Sequence, residues 1–257
     1  MKGILTALCC AAGLTTMAQP TTYSTANAHS HNDYEKIAPF IGAYKAGFGS
    51  VEADLHLIND TLWVSHDTPK PGIVPPTFES IYLKPLQEMV VKNSGYPYAD
   101  HSKKLQLLID LKTDGVLTLP KVVAAIRRYP DLAGNKHIYF VISGSRPDPS
   151  TWGQYPSFIW FDGNIGQTYT APALRRIALM SADFHKISKW TGLDSLPTRD
   201  KDTIQLLVQS VHKLGKPIRF WASPDNEPAW KQFMQWKIDY LNTDRIDTIA
   251  AFLNTKP

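Results

Sequence analysis

Short runs of β-branched and aromatic residues recur along the chain, separated by helix-compatible stretches, as expected of a parallel α/β architecture. The runs that read as strands are residues 23–28, 49–55, 105–111, 137–143, 158–162, 181–187, 217–222 and 238–242. Helices are predicted over 39–46, 117–129, 171–179, 203–214, 228–235 and 245–253. Residues 68–104, rich in Pro, Gly, Tyr and Lys, read as an irregular excursion holding a helix near 78–92. Eight strands in one domain without an internal linker predict a closed (β/α)8 TIM barrel, with an open doubly wound sheet as the alternative.

One segment breaks the alternation. After Val51-Glu52-Ala53-Asp54-Leu55-His56-Leu57 come Ile58-Asn59-Asp60-Thr61 and then Leu62-Trp63-Val64-Ser65-His66-Asp67. A parallel crossover needs a dozen or more residues, so two strands this close form an antiparallel hairpin inserted after strand two. A turn centred on Asn59-Asp60 sets His66 opposite Ala53 or Asp54. Side chains alternate along a strand, so Glu52 and Asp54 share a face while Val51, Ala53 and Leu55 share the other. The apolar set fits packing against helices, which turns the acids into the barrel. Two carboxylates there repel each other and are costly to bury without a cation between them.

A third acid ends the apolar run Leu107-Leu108-Ile109-Asp110-Leu111-Lys112. Glu52, Asp54 and Asp110 together are hard oxygen donors suited to Mg²⁺ or Ca²⁺ and poorly suited to Zn²⁺. Lys112 shares the face of Asp110, either as a partner for a phosphate oxygen or as an ion-pair partner for that carboxylate. His29-Ser30-His31-Asn32 sits at the end of the first strand, so at least one imidazole faces the same mouth that His66 reaches from the hairpin. Two imidazoles flanking an anion can divide the work of general base and general acid near neutral pH. His56, His101, His137, His185 and His212 have no such setting and read as structural.

Composition narrows the picture further. Met1-Lys2, an apolar stretch from Ile4 to Leu14 and Thr16-Met17-Ala18 have the form of a signal peptide over residues 1–18, which predicts a secreted or periplasmic protein. Lipoprotein processing at Cys9 or Cys10 is the rival reading. Both cysteines lie in that segment, so residues 19–257 hold no disulfide and no thiolate ligand. Losing Lys2 lowers the formal charge from +4 to +3, and no basic run exceeds two residues, which argues against a nucleic-acid partner. No stretch is long and apolar enough to be read as a transmembrane helix.

The ordered set of a first-strand His, Val-Glu-Ala-Asp, Val-Ser-His-Asp and Leu-Ile-Asp-Leu-Lys resembles the signature of the glycerophosphodiester phosphodiesterase and phospholipase C-like superfamily. Arg219-Phe220-Trp221-Ala222-Ser223-Pro224-Asp225 and Leu241-Asn242-Thr243-Asp244 are similar to its branch of the altered inheritance of mitochondria protein 6 type. The resemblance implies a barrel phosphoric diester hydrolase with one divalent cation on Glu52, Asp54 and Asp110 and with His66 as one acid/base. It further implies a phosphate contact from Lys112, a pocket wall at Trp221, and a small-molecule or lipid-headgroup phosphodiester as substrate. Asn32 joins the candidate substrate-binding residues. Where the superfamily has His-Arg-Gly this chain has His29-Ser30-His31-Asn32, so either His29 or His31 could be the family histidine. Two other classes remain. His29-x-His31 also begins amidohydrolase barrels, which need further histidines at later strand ends, and seven tryptophans would suit a carbohydrate-binding barrel.

Overall fold

The computed structural model describes residues 19–255, so the signal-peptide reading of residues 1–18 lies outside the described residues. Eight strands run parallel: β1 (Ala28–Ser30), β2 (Ser50–Ile58), β4 (Leu105–Leu111), β5 (Ile138–Gly144), β6 (Ile159–Asn164), β7 (Ile177–Asp183), β8 (Ile218–Trp221) and β9 (Leu241–Thr243). β3 (Thr61–Val64) pairs antiparallel with β2. The ladder runs β8-β7-β6-β5-β4-β2-β1-β9, and one parallel bridge between Arg219 and Tyr240 joins its two ends. The result is a nearly closed barrel.

Helices α1 (Ile41–Lys45), α2 (Lys84–Lys92), α3 (Gly115–Arg127), α4 (Pro130–Ala133), α5 (Ala171–Arg175), α6 (Thr198–Lys213), α7 (Glu227–Gln235) and α8 (Ile246–Asn254) lie between the strands. Their apolar faces meet the outward residues of the strands, including the fully buried Val51, Ala53, Leu55, Leu107, Ile109, Phe140 and Phe161. Apolar burial at roughly 25 cal/mol per Å² is the main favourable contribution here. Among the described residues, no helix is long and apolar enough to cross a membrane.

Several predicted boundaries move, each for a local reason. The sixth barrel strand is Ile177–Asp183 rather than 181–187, and α5 stops at Arg175 rather than 179. Ala178, Leu179 and Met180 have high helix propensity, but pairing with β6 and β8 overrides it. Asp183 then accepts a hydrogen bond from His185 N and turns the chain into a short 3₁₀ turn, Phe184–Lys186. The first strand is Ala28–Ser30 rather than 23–28, because Ser24 and Asn27 cap each other's backbone and hold Thr25–Asn27 in a 3₁₀ turn. α4 was not predicted; Pro130 disfavours helical geometry at Tyr129 and starts a new turn itself.

The hairpin follows its expected register, with Leu55 opposite Val64 and Ile58 opposite Thr61. Asn59 and Asp60 both take positive φ, 50° and 61°, the backbone of a type I′ turn, which Asn and Asp tolerate better than most residues.

Candidate active site

Alternation along β2 sends Ser50, Glu52 and Asp54 into the barrel. The parallel register places Asp54 beside Asp110 of β4. Carboxylate oxygens of Glu52, Asp54 and Asp110 lie within 4.8 Å of one another. Glu52 and Asp54 are buried, and the buried oxygens Asp54 Oδ1 and Asp110 Oδ1 have no hydrogen-bond partner among the described residues. Burial and the neighbouring Glu52 charge push Asp54 up to about 6. Lys112 Nζ stands 2.8 Å from Asp54 Oδ2 and 2.6 Å from Asp110 Oδ2. Burial alone would lower its pKa, but the Asp110 and Asp54 carboxylates more than reverse that and raise it. The donor set fits a hard divalent cation: three carboxylates converge, and two of their buried oxygens await a positive partner.

His29 is enclosed. Its Nδ1 is hydrogen-bonded to Ser50 Oγ at 2.7 Å and its Nε2 to Glu52 Oε2 at 2.7 Å, while Gln106 Nε2 donates to Ser50 Oγ at 2.8 Å. Burial and the Arg219 charge lower the imidazole pKa to about 3. A neutral ring placed this way donates from Nε2 to the carboxylate and accepts from the serine hydroxyl at Nδ1. Arg219 Nη1 contacts His29 Nε2 and donates to Glu52 Oε2 at 3.1 Å. Burial pulls Glu52 upward, but the His29 bond and the Arg219 charge outweigh it and hold Glu52 well below the usual carboxylate range.

His66 arrives by the hairpin, its side chain 54% exposed and its Nδ1 3.1 Å from Asp54 Oδ2. Ser65 N donates to Asp54 O, and His56 Nε2 lies 3.3 Å from His66 O, which fixes the backbone that carries the ring. Tyr34 donates to Asp54 Oδ2 at 2.7 Å and lies 2.8 Å from Asn32 Oδ1 and 3.3 Å from His66 Nδ1. His31 turns to a different partner, Asp244 Oδ1 at 3.1 Å, which also receives Lys36 Nζ at 3.4 Å. Burial works against protonation of His31, but the Asp244 bond prevails and raises its pKa. Trp221 ends β8 partly exposed, at 38%.

The structure therefore gathers Glu52, Asp54, Asp110, Lys112, His29 and His66, with Asn32 linked through Tyr34. Direct contacts tie His31 to Asp244. Arg219, Tyr34, Asp244 and the buried Asp162 were not singled out from the sequence. Arg219 had a readable signal: it stands two residues before Trp221 and so shares its inward face. Asp162 accepts from Ser143 and Ser181, at 3.0 and 2.5 Å, farther round the barrel wall.

Gly144, at the end of β5, makes room for the third carboxylate. Its φ is +68°, and a Cβ there would collide with Asp110 Oδ1 and Leu111 O. Gly144→Ala is expected to cut turnover at least about tenfold and to destabilise the protein by about 1–3 kcal/mol. Kinetics and thermal melts check this; an alanine variant with unchanged turnover would show that the gap does not set the Asp110 position.

A family profile described as the AIM6-like phosphodiesterase domain matches residues 21–133, spanning every candidate from His29 to Lys112. A second, the glycerophosphoryl diester phosphodiesterase family, matches residues 217–247, which hold Arg219, Trp221 and Asp244. The altered inheritance of mitochondria protein 6 homolog of Arthroderma benhamiae is 34% identical, with the alignment covering 87% of this chain and 82% of the relative. Altered inheritance of mitochondria protein 6 of Kluyveromyces lactis is 26% identical over 88% of this chain and 72% of its own length. A crystal structure of a glycerophosphodiester phosphodiesterase from Parabacteroides distasonis shares the fold, with a TM-score of 0.55 at 14% identity over 90% of this chain and 96% of that one. The chain belongs to the altered inheritance of mitochondria protein 6 family, a branch of the glycerophosphodiester phosphodiesterase superfamily, and is a phosphodiesterase.

Proposed function

We propose that the enzyme cleaves a small-molecule or lipid-headgroup phosphodiester with a divalent cation, Mg²⁺ or Ca²⁺, held by Glu52, Asp54 and Asp110. The observation that carries this is the convergence of three carboxylates with two buried, unpartnered oxygens. Such a cation, when bound, withdraws charge from the phosphoryl group. Lys112 sits where its ammonium can meet a phosphate oxygen while it still neutralises Asp110. His66, exposed to the mouth and steadied by Asp54, takes or gives the proton at one end of the reaction. Of the two strand-one histidines, His31, partly exposed and held by Asp244, serves the other end, while His29, with both ring nitrogens taken by Ser50 and Glu52, positions Glu52. One of His66 and His31 removes the proton from a hydroxyl next to the phosphoester, whose oxygen bonds to phosphorus as the leaving oxygen departs with a proton from the other; water then opens the cyclic phosphate by the reverse proton transfers. Arg219 holds Glu52 ionised and in place for the cation. Trp221 and Asn32 wall the mouth against the substrate.

The test is metal dependence. Dialysis against excess EDTA is expected to abolish hydrolysis of glycerophosphocholine, which carries a hydroxyl next to its phosphoester, with Mg²⁺ or Ca²⁺ restoring it. Full activity after chelation would overturn the proposal. Zn²⁺ as the sole activator would favour the amidohydrolase reading, although the ends of β5 and β6 offer Ser143, Asp162 and Asn164 rather than histidines. The signal-peptide reading adds that the protein isolated from its host begins at Gln19; N-terminal sequencing that finds Met1 in place would refute export by cleavage.

A further inference from the structure

At the opposite end of the barrel from the carboxylates, the strand N-termini surround a second cavity of about 1020 Å³. Tyr139, Trp160 and Tyr240 reach into it, half-buried, with the Tyr139 and Trp160 rings 5.7 Å apart. Leu108, Val141 and Leu179 form a fully buried apolar cluster packed against these rings, inside the barrel between the cavity and the catalytic mouth. Among the described residues, five cations line the cavity, Lys103, Lys104, Arg175, Lys213 and Lys216, against one carboxylate, Asp100. Asp100 is turned to Ser102, whose N and Oγ donate to it at 3.0 and 2.7 Å.

Part of this charge has a helical explanation. Arg175 and Lys213 end α5 and α6, where the helix dipole favours cations. Lys216 Nζ donates to Ile177 O at 2.7 Å and Lys103 lies over the Tyr98 ring, so Lys104, on the approach to β4, is the cation turned to the cavity's own aromatic wall. Lys104 Nζ donates to Tyr139 OH at 3.3 Å and stands 5.6 Å from the ring centre, so charge and aromatic surface meet at one place. We propose that this cavity is a second binding site, separate from the catalytic mouth, for a ligand with an anionic head and an apolar or aromatic body. The aromatic surface supplies area to bury, the cations supply a counter-charge, and the volume is at the upper end of the roughly 300–1,000 Å³ typical of small-molecule sites. A fatty carboxylate and an alkyl phosphate share this chemistry.

Fluorescence titration of the full chain with anilinonaphthalene sulfonate tests the site. Saturable binding is expected, with displacement by dodecanoate or dodecyl phosphate and none by neutral dodecanol; the tighter of the two acids identifies the head group. Lys104→Glu combined with Lys213→Glu changes two exposed side chains and should weaken the dye by about tenfold, with the thermal midpoint lowered only slightly because Lys213 also serves the end of α6. Asp54→Ala should bind the dye like the wild type, because the carboxylate site lies at the other end. Non-saturating fluorescence, failure of both acids to compete, equal displacement by dodecanol, or double-variant affinity within about twofold of wild type would each overturn the proposal. So would dye displacement by glycerophosphocholine with Mg²⁺, which would put the dye in the catalytic mouth.

Discussion

Asp54→Ala is expected to lose at least about a thousandfold in turnover, the several kcal/mol that a bound cation contributes to a developing phosphoryl charge. It is also expected to weaken divalent-cation affinity by at least about tenfold. Both losses follow from position. Asp54 is the central carboxylate, registered against Asp110 on β4 and two residues from Glu52 on the same face of β2. The fold should survive, because Lys112 keeps Asp110 and Tyr34 keeps Asn32 as partners, and the lost carboxyl is a buried one pressed by Glu52. Calorimetric titration with Mg²⁺ and Ca²⁺, beside steady-state kinetics, checks the pair of effects. A variant that keeps wild-type cation affinity would remove Asp54 from the metal site, whatever its turnover.

His66→Ala separates the two roles. The expected loss is at least about a hundredfold in turnover, within the range of a general acid or base, with cation affinity nearly unchanged. His66 has one ring nitrogen 3.1 Å from Asp54 and is more than half exposed, so its removal strands no buried group and leaves all three carboxylates in place. Near-normal turnover would make His66 structural and leave the proton transfers to His31. Parallel loss of cation affinity would make it part of the metal site instead.

The sequence carried the site on the two-residue period of β2 and on the Asn59-Asp60 turn, both local features that tertiary packing had no reason to overrule. The barrel was legible from eight apolar runs, yet the limits of β1 and β7 were not. Ala178-Leu179-Met180 carries helix-forming side chains, and only pairing with distant strands makes it extended. Arg219 was missed because its partners, His29 and Glu52, lie 190 and 167 residues away along the chain. A separation of 213 residues likewise hides Asp244 from His31. Contacts of that range depend on barrel closure, and no spacing rule along the chain reports them.

The seam of that closure shapes how the molecule moves. β8 and β9 share one bridge, where Asp239 N and Tyr240 N both donate to Ile218 O. The Asp239 carboxylate reinforces it, accepting from Ile218 N at 2.9 Å and meeting His212 Nε2 at 2.8 Å. With so few backbone bonds across it, this joint is expected to open more readily than the long β2-β4-β5 ladder, and its amide protons are expected to exchange ahead of those in that ladder. Arg219 belongs to the yielding side and the three carboxylates to the rigid side. An opening at the seam would therefore draw the guanidinium away from Glu52 before it disturbs the spacing of Glu52, Asp54 and Asp110.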